Sequence, residues 1–232
     1  MAGVTTREEA PAYAAPASGW GVAARKYVTE FIGTFFLTLA VGVAALSGSV
    51  FVPLAAGGTL MVMVYAGGHI SGAHYNPAVT VAALVRRRIG TGDAAGYWVA
   101  QVAGGVVAAV IARAVVNPAS VKTLHLSGHA VAAAAVVEVL ITFALCYVVL
   151  NVATSKDQPG NGFFGLAIGF TVVAGAFAVG GISGGVFNPA VALGGATAGL
   201  FGWPTIWVYI LVQLAGGIAA GLVFLALNPG DK

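Results

Sequence analysis

The chain has 232 residues, of which 59% are hydrophobic and only 7% are charged. Soluble domains carry about 25% charged residues, so this composition excludes an ordinary water-facing surface and predicts an integral membrane protein. The mean hydropathy of +0.95 supports the same interpretation. The formal net charge of +3 is too small and too scattered to indicate a nucleic-acid partner.

The N-terminal residues 1–24 are rich in Ala and Pro and lack the continuous apolar core of a signal peptide, which predicts a disordered tail. Six apolar runs follow, each close to the ~20 residues that a helix needs to cross a ~30 Å hydrocarbon core. The predicted spans are Tyr27–Leu46, Val50–Gly68, Ala94–Val116, Ala130–Val152, Gly162–Gly181 and Pro204–Leu227.

Small residues are unusually common. Glycine accounts for 34 of the 232 residues, about twice its usual ~7% share, and in a bilayer this predicts helices that pack closely through small side chains. The single cysteine, Cys146, lies inside an apolar run. We interpret it as a packed apolar residue, with neither an intramolecular disulfide nor a thiolate metal cluster.

Cationic residues predict the orientation in the membrane. With six spans, both termini and the second-to-third and fourth-to-fifth connections lie on one side. Eight of the ten Lys and Arg residues fall on that side, namely Arg7, Arg25, Lys26, Arg86, Arg87, Arg88, Lys156 and Lys232. The positive-inside rule therefore places both termini in the cytoplasm, and Arg86–Arg88 are interpreted as part of this signal rather than as a lipid-binding site.

The two halves of the chain repeat each other. Asn76-Pro77-Ala78-Val79 returns as Asn188-Pro189-Ala190-Val191, an offset of 112 residues (188 − 76). The segment Gln101–Gly105 returns at Gln213–Gly217 with the same offset, and Glu30-x3-Thr34 matches Glu138-x3-Thr142. Each half holds three spans, so the halves must insert in opposite directions, which predicts an inverted repeat.

The triplets Asn76–Ala78 and Asn188–Ala190 each open a short apolar segment after a glycine-rich stretch. Asparagine is a favoured N-cap and proline a favoured first helical residue. The ten steps from Asn76 to Arg86 span about 15 Å of helix, so two such half-helices would meet at mid-membrane. A third copy, Asn117–Ala119, and the pair Asn228–Pro229 end full-length spans and are interpreted as helix stops.

Two half-helix N-termini at one point would form a barrier to cations. Each carries about +0.5 of an elementary charge, and each Asn amide can also donate a hydrogen bond to the oxygen of a passing solute. A water held by both donors would interrupt proton relay. This pattern predicts a passive pore for small uncharged solutes, with pore residues Asn76, Pro77, Ala78, Asn188, Pro189 and Ala190.

At these residues the chain resembles the aquaporin and aquaglyceroporin family, the major intrinsic proteins. The resemblance covers about Arg25 to Leu227 and is most specific from Gly68 to Thr80. It implies an all-α, right-handed bundle of six transmembrane helices with two re-entrant half-helices, assembled as a homotetramer with one pore per subunit. No cofactor, metal or enzymatic activity is expected.

The resemblance also implies structural roles for polar residues near the triplets. Glu30 and Glu138 are expected to accept hydrogen bonds from the re-entrant loops, with Gln101 and Gln213 beside them, since a carboxylate inside a span needs a partner. A proton relay through the glutamates is the alternative. His69 and His74 are expected to serve packing and loop hydrogen bonding, with pH sensing at His74 as an alternative.

The selectivity filter departs from the family pattern. Counting from the triplets places it at Ala56, Ala176, Gly185 and Val191, whereas the family usually has arginine at the position of Val191. A wide, apolar and uncharged filter is expected. It would admit water and larger neutral solutes such as glycerol, urea, ammonia, peroxide or undissociated metalloid acids, although an apolar constriction also resists wetting.

The predicted organisation is a cytoplasmic tail (1–24), a first repeat (25–118), an extracytoplasmic connection (119–129), a second repeat (130–228) and a cytoplasmic C-terminus (229–232). The expected location is the plasma membrane of a prokaryotic cell. Two other classes stay open: an ion-coupled secondary transporter, which also uses inverted repeats with broken helices, and a structural membrane protein with an occluded pore.

Overall fold

The structure is a computed structural model, and it describes residues 20–116 and 122–231. The predicted tail lies outside the described residues as far as residue 19, and its last residues, from Val22, already belong to the first helix. The third triplet, Asn117–Ala119, also lies outside the described residues. The helix stop predicted at Asn228–Pro229 is confirmed, because the last helix ends at Leu227 and Asn228 is its C-cap.

In residues 20–116 and 122–231, six long helices and two short ones make up the two halves of the chain. The first half contains α1 (Val22–Leu46), α2 (Val52–Ser71), α3 (Pro77–Val85) and α4 (Thr91–Val115). The second half contains α5 (His129–Thr154), α6 (Phe164–Ser183), α7 (Pro189–Thr197) and α8 (Ile206–Leu227), the last preceded by a 3-10 turn at Trp203–Thr205. The described residues include no strand, and the all-α fold with an inverted repeat is confirmed.

The short helices interlock the two halves. The half-helix α3 packs mainly against α8, and α7 packs mainly against α4. Glycine makes this approach possible: a Cβ on Gly105 of α4 would lie 2.7 Å from the carbonyl oxygen of Ala190, and Gly217 of α8 faces the carbonyl of Ala78 in the same way. The half-helix of each half of the chain therefore packs against a long helix of the other half.

The long helices also pack closely against each other at glycine residues. A Cβ on Gly104 of α4 would lie 2.6 Å from the carbonyl oxygen of Phe31 in α1, and one on Gly216 of α8 would lie 2.7 Å from that of Val139 in α5. Small residues that let two backbones touch are the usual basis of helix association in lipid. The high glycine content predicted this packing.

The outer surface is apolar and the interior holds the polar groups. Large apolar side chains such as Phe170 and Leu222 are more than half exposed, whereas Glu30 and Glu138 are fully buried. Within the part of the chain that the structure describes, six helices of 20 to 26 residues are long and apolar enough to cross a membrane. This distribution suits lipid as the surrounding solvent, because polar backbone and side chains in a bilayer must find partners inside the protein.

Candidate functional site

The two short helices begin at the asparagines of the triplets. The Asn76 side chain accepts a hydrogen bond from the backbone N–H of Ala78 (2.8 Å), and Asn188 accepts one from that of Ala190 (3.0 Å). Both asparagines have extended backbones, with a proline directly after them in the first turn. These N-caps confirm that the triplets open half-helices, each of nine residues.

Each asparagine also binds the opposite half of the chain. The Asn76 Nδ2 atom donates to the carbonyl oxygen of Phe187 (2.8 Å), and Asn188 Nδ2 donates to that of Tyr75 (2.9 Å). A carboxamide nitrogen carries two N–H groups, so each asparagine retains a second one. The reciprocal bonds fix the two side chains relative to each other, and both line one cavity.

A buried glutamate holds the loop ahead of the first triplet. Glu30 accepts hydrogen bonds from the Ser71 hydroxyl (2.7 Å), the backbone N–H groups of His74 (2.9 Å) and Tyr75 (2.6 Å), and the Gln101 amide (2.8 Å). These four donors supply the partners that an intramembrane carboxylate needs.

The second half repeats this arrangement. Glu138 accepts hydrogen bonds from the Ser183 hydroxyl (2.7 Å), the backbone N–H groups of Val186 (2.9 Å) and Phe187 (2.8 Å), and the Gln213 amide (2.8 Å). The two glutamates therefore hold the two loops in equivalent positions.

A pair of tyrosines completes the support and was missed by the sequence analysis. The Tyr97 hydroxyl donates to the carbonyl oxygen of Ser71, and the Tyr209 hydroxyl donates to that of Ser183, both at 2.5 Å. The signal was available, since the two tyrosines are 112 residues apart (209 − 97), the same offset as the triplets.

The two histidines near the first triplet differ in position. His74 Nδ1 lies 3.1 Å from Thr80 Oγ1, and its ring meets Tyr97 edge to face. The structure does not bring His69 into the loop: it lies exposed on the last turn of α2. The helix runs on to Ser71, and its 3.6-residue period turns His69 to the outside, so the expected supporting role does not apply to His69.

The four filter positions line a single cavity of about 420 Å³, which we call the filter cavity. Ala56, Ala176, Gly185 and Val191 all contribute to its wall, together with Asn76 and Asn188. Gly185 has a φ of +65°, and a Cβ there would lie 3.1 Å from the Cα of Ala176. Among the described residues that line the filter cavity, none is Lys, Arg, Asp or Glu.

A second cavity of about 710 Å³ differs in its lining, which includes the charged residues Lys26, Arg88, Asp93 and Lys156. His74, Val149 and Ile168 line both cavities. The two spaces therefore adjoin one another, and the asparagine tips lie on the apolar side.

Arg86 has a role that its position in a basic run did not reveal. Its side chain is buried, lies 4.2 Å from the centre of the Phe224 ring, and pairs with Asp231 (2.7 Å). It also donates to the backbone oxygen of Asp231 (2.6 Å) and to that of Thr154 (3.3 Å). As the C-cap of α3, it places a cation where the helix dipole favours one.

Comparison with known proteins agrees with this geometry. The family model described as Major intrinsic protein matches residues 18–224. The chain is 40% identical over 220 residues to Glycerol uptake facilitator protein-like 6 of Lactiplantibacillus plantarum, covering 89% of this chain and 100% of that protein. It is 37% identical over 217 residues to Aquaporin NIP2-1 of Oryza sativa subsp. japonica, covering 89% of this chain and 72% of that one.

A solved structure shows the same fold. The X-ray structure of the aquaglyceroporin from Plasmodium falciparum superposes with a TM-score of 0.74 at 20% sequence identity, covering 87% of this chain and 95% of that chain. The six membrane-length helices and the paired asparagine tips are the features expected of the family whose model matches the chain. The chain belongs to the major intrinsic protein family, and it is an integral membrane channel for the passive transport of water and small neutral solutes.

Proposed function

We propose that this channel conducts neutral solutes larger than water, of the size of glycerol or urea, with ammonia, peroxide and undissociated metalloid acids as further candidates. The observation that carries the proposal is the filter cavity, whose four filter positions are Ala56, Ala176, Gly185 and Val191 and whose described lining has no Lys, Arg, Asp or Glu. The relative named as a glycerol uptake facilitator supports a solute of this kind.

Ion exclusion then depends on the half-helix tips. The N-termini of α3 and α7 each present about half a positive charge, and Asn76 and Asn188, each with a second amide N–H, both line the filter cavity. We assign the pore role to these asparagines together with Pro77, Ala78, Pro189 and Ala190. A water molecule that accepts a hydrogen bond from each of the two asparagine amides has its own hydrogens turned along the pore, away from the tips. In this orientation it accepts no proton from the next water in the file, so proton relay is interrupted.

The Lys and Arg residues of the connections between spans support an orientation of the chain in the membrane. The cationic connections place both termini in the cytoplasm by the positive-inside rule, with residues 119–129 on the other side. We propose a homotetramer in the plasma membrane of a prokaryotic cell, with one pore per subunit, as is usual in this family.

The buried glutamates favour a channel over an ion-coupled transporter. Coupling needs ionisable groups that exchange protons or ions with the solute pathway, but Glu30 and Glu138 are each bound by four hydrogen bonds. Their position supports a structural role. Solute flux in proteoliposomes is therefore expected to be unchanged by an imposed proton or sodium gradient, and gradient-driven accumulation would instead indicate a transporter.

The filter is tested by replacing Val191. The full chain is reconstituted in vesicles, and water and glycerol permeability are measured by stopped-flow light scattering. Native vesicles are expected to conduct glycerol, and Val191→Arg is expected to lower glycerol permeability about tenfold or more, because a large cation then occupies the filter cavity. The unbranched variant Val191→Met lengthens the side chain without adding a charge, and so separates charge from bulk. Native vesicles that pass water and exclude every larger solute would contradict the proposal.

A further inference from the structure

The connection between α4 and α5 reaches the filter cavity. Its described part, residues 122–128, is tied to the segment that follows α7 by three hydrogen bonds. The Leu124 N–H donates to the Leu200 carbonyl oxygen (2.8 Å), the Gly202 N–H donates to the Leu124 carbonyl oxygen (3.1 Å), and the Thr123 hydroxyl donates to the Gly199 carbonyl oxygen (2.8 Å). The backbone N–H and the carbonyl oxygen of Leu124 are therefore both hydrogen-bonded to this segment.

Leu124 lines the filter cavity together with Gly184, Gly185 and Phe201, and its side chain lies beside Gly184, since a Cβ on Gly184 would lie 3.8 Å from Leu124 Cδ2. The Phe201 ring is itself fixed between two glycines. A Cβ on Gly184 would lie 2.6 Å from the ring, and Gly195 faces the ring from the other side. The ring also packs against Tyr209, with the centroids 5.7 Å apart. Leu124 and Phe201 thus form one fixed apolar lip on the cavity.

This lip is chemically distinct from the filter found by counting from the triplets. The four filter positions hold Ala, Ala, Gly and Val, all smaller than Leu124 and Phe201. Neither side chain of the lip can accept or donate a hydrogen bond. A solute that passes the lip loses hydrogen bonds to water on that side, and the lip offers no hydrogen bonds in exchange. The free-energy cost grows with each hydroxyl group that the solute carries.

We propose that Leu124 is a further specificity-determining residue of this channel, which with Phe201 selects against solutes that carry many hydroxyl groups. The proposal rests on the proposed function, because it concerns the same solute pathway. It adds a residue from the connection between the two halves to a filter otherwise built from α2, α6 and the second re-entrant segment.

The first test changes the bulk and the polarity of Leu124 in two separate variants. Permeability to glycerol (three hydroxyls) and erythritol (four hydroxyls) is measured in vesicles containing the full chain, as native protein, Leu124→Ala and Leu124→Asn. Leu124→Ala removes bulk, and Leu124→Asn keeps the volume while it adds hydrogen-bonding groups. Both are expected to raise the erythritol-to-glycerol permeability ratio by roughly three- to tenfold, since apolar constrictions act through the hydration of what passes them.

The matched control is Leu126→Ala. Leu126 lies on the same connection and is also half-buried, but it lines a separate small pocket beside Glu138 and Tyr209. Its replacement is expected to leave the permeability ratio unchanged. The proposal is overturned if neither Leu124 variant changes the ratio, or if Leu126→Ala changes it equally.

A second test does not depend on solute ratios. The native Cys146 is fully buried, so a charged methanethiosulfonate reagent has no exposed native thiol. In Leu124→Cys, modification is expected to remove most of the glycerol flux. In His125→Cys, at the adjacent exposed position, it is expected to leave the flux unchanged. Full labelling of Leu124→Cys, measured by mass spectrometry, with undiminished flux would overturn the proposal. If native vesicles conduct no neutral solute beyond protein-free vesicles, the proposed function itself fails.

Discussion

Two buried glutamates hold the backbone that surrounds the asparagine tips. Glu30 binds the N–H groups of His74 and Tyr75, and Glu138 binds those of Val186 and Phe187. Tyr75 and Phe187 have φ angles of 48° and 52°, a left-handed conformation that costs a non-glycine residue about 1–3 kcal/mol. Charge-assisted hydrogen bonds of about 1.5–3 kcal/mol each offset that cost.

The substitution Glu138→Gln tests this support at a single residue. The amide group of glutamine would place N–H donors against the N–H donors of Val186 or Phe187, so we expect a loss of about 2–4 kcal/mol of stability. The measurement is thermal or denaturant unfolding of the purified protein in detergent. The control is Asp157→Asn, at an exposed carboxylate, with an expected change within about 0.5 kcal/mol. Equal stability of both variants would contradict the structural role of Glu138.

At the scale of the helices, close backbone contact decides which glycines can be replaced. Gly57 of α2 packs directly on the carbonyl oxygen of Gly169 in α6, whereas a Cβ on the next residue, Gly58, would meet nothing within 4 Å. The two glycines are neighbours on one helix and share the same propensity. They differ only in what they face, so they form a matched pair.

We therefore expect opposite results from Gly57→Ala and Gly58→Ala. Gly57→Ala forces α2 and α6 apart and should cost about 1–3 kcal/mol, as overpacking does. Gly58→Ala should be neutral or stabilising by up to about 1 kcal/mol, because alanine favours helix over glycine. Unfolding of both variants in detergent measures the difference. A similar loss for both would show that helix propensity, and not the α2–α6 contact, governs these positions.

The half-helices define the site because neither is supported by its own half alone. Each N-terminus is capped by its asparagine, and each body is seated on a glycine of the opposite half, Gly217 for α3 and Gly105 for α7. The asparagines then bind across the junction to Phe187 and Tyr75. Changes to either half should therefore alter the geometry of both tips.

At the scale of the whole molecule, an ion pair joins the last described residue to the first half. Asp231 receives hydrogen bonds from Arg86 and from the backbone N–H of Lys156, and so connects α3, the segment after α5 and the end of the chain. Burial raises the pKa of Asp231, but the hydrogen bonds from Lys156, Arg86 and Ser155 and the positive charge of Arg86 outweigh it and lower the pKa to about 2.

This pKa predicts the pH dependence of the ion pair. The folded pKa of Asp231, about 2, lies below its ordinary value of 3.8, so the stabilisation is complete above pH ~4 and is lost as the pH falls through about 2. Asp231→Asn should lower the melting temperature in detergent at pH 6, and its difference from the native protein should shrink between pH 4 and pH 2. A difference that is constant over that range would contradict the assignment.

Much of the site was predictable from local rules. Hydrophobic run length predicted the six spans, the N-cap preference of Asn76 and Asn188 predicted the half-helices, and counting along the spans found four residues that do line one cavity. These rules depend on residues within a few helical turns of each other, or on a repeat with a fixed offset. Both can be read from the sequence alone, so the spans, the half-helices and the cavity-lining positions were predictable.

The sequence by itself determined the membrane class, the spans, the inverted repeat and the two tips. Only the tertiary structure decided that each asparagine binds the opposite loop, that Arg86 is buried against Asp231, and that Leu124 lines the filter cavity. The first two of these contacts join residues 111 to 145 positions apart. They exist because the two halves interlock through their glycines, and the geometry of that interlocking cannot be derived from preferences that act within a single helix.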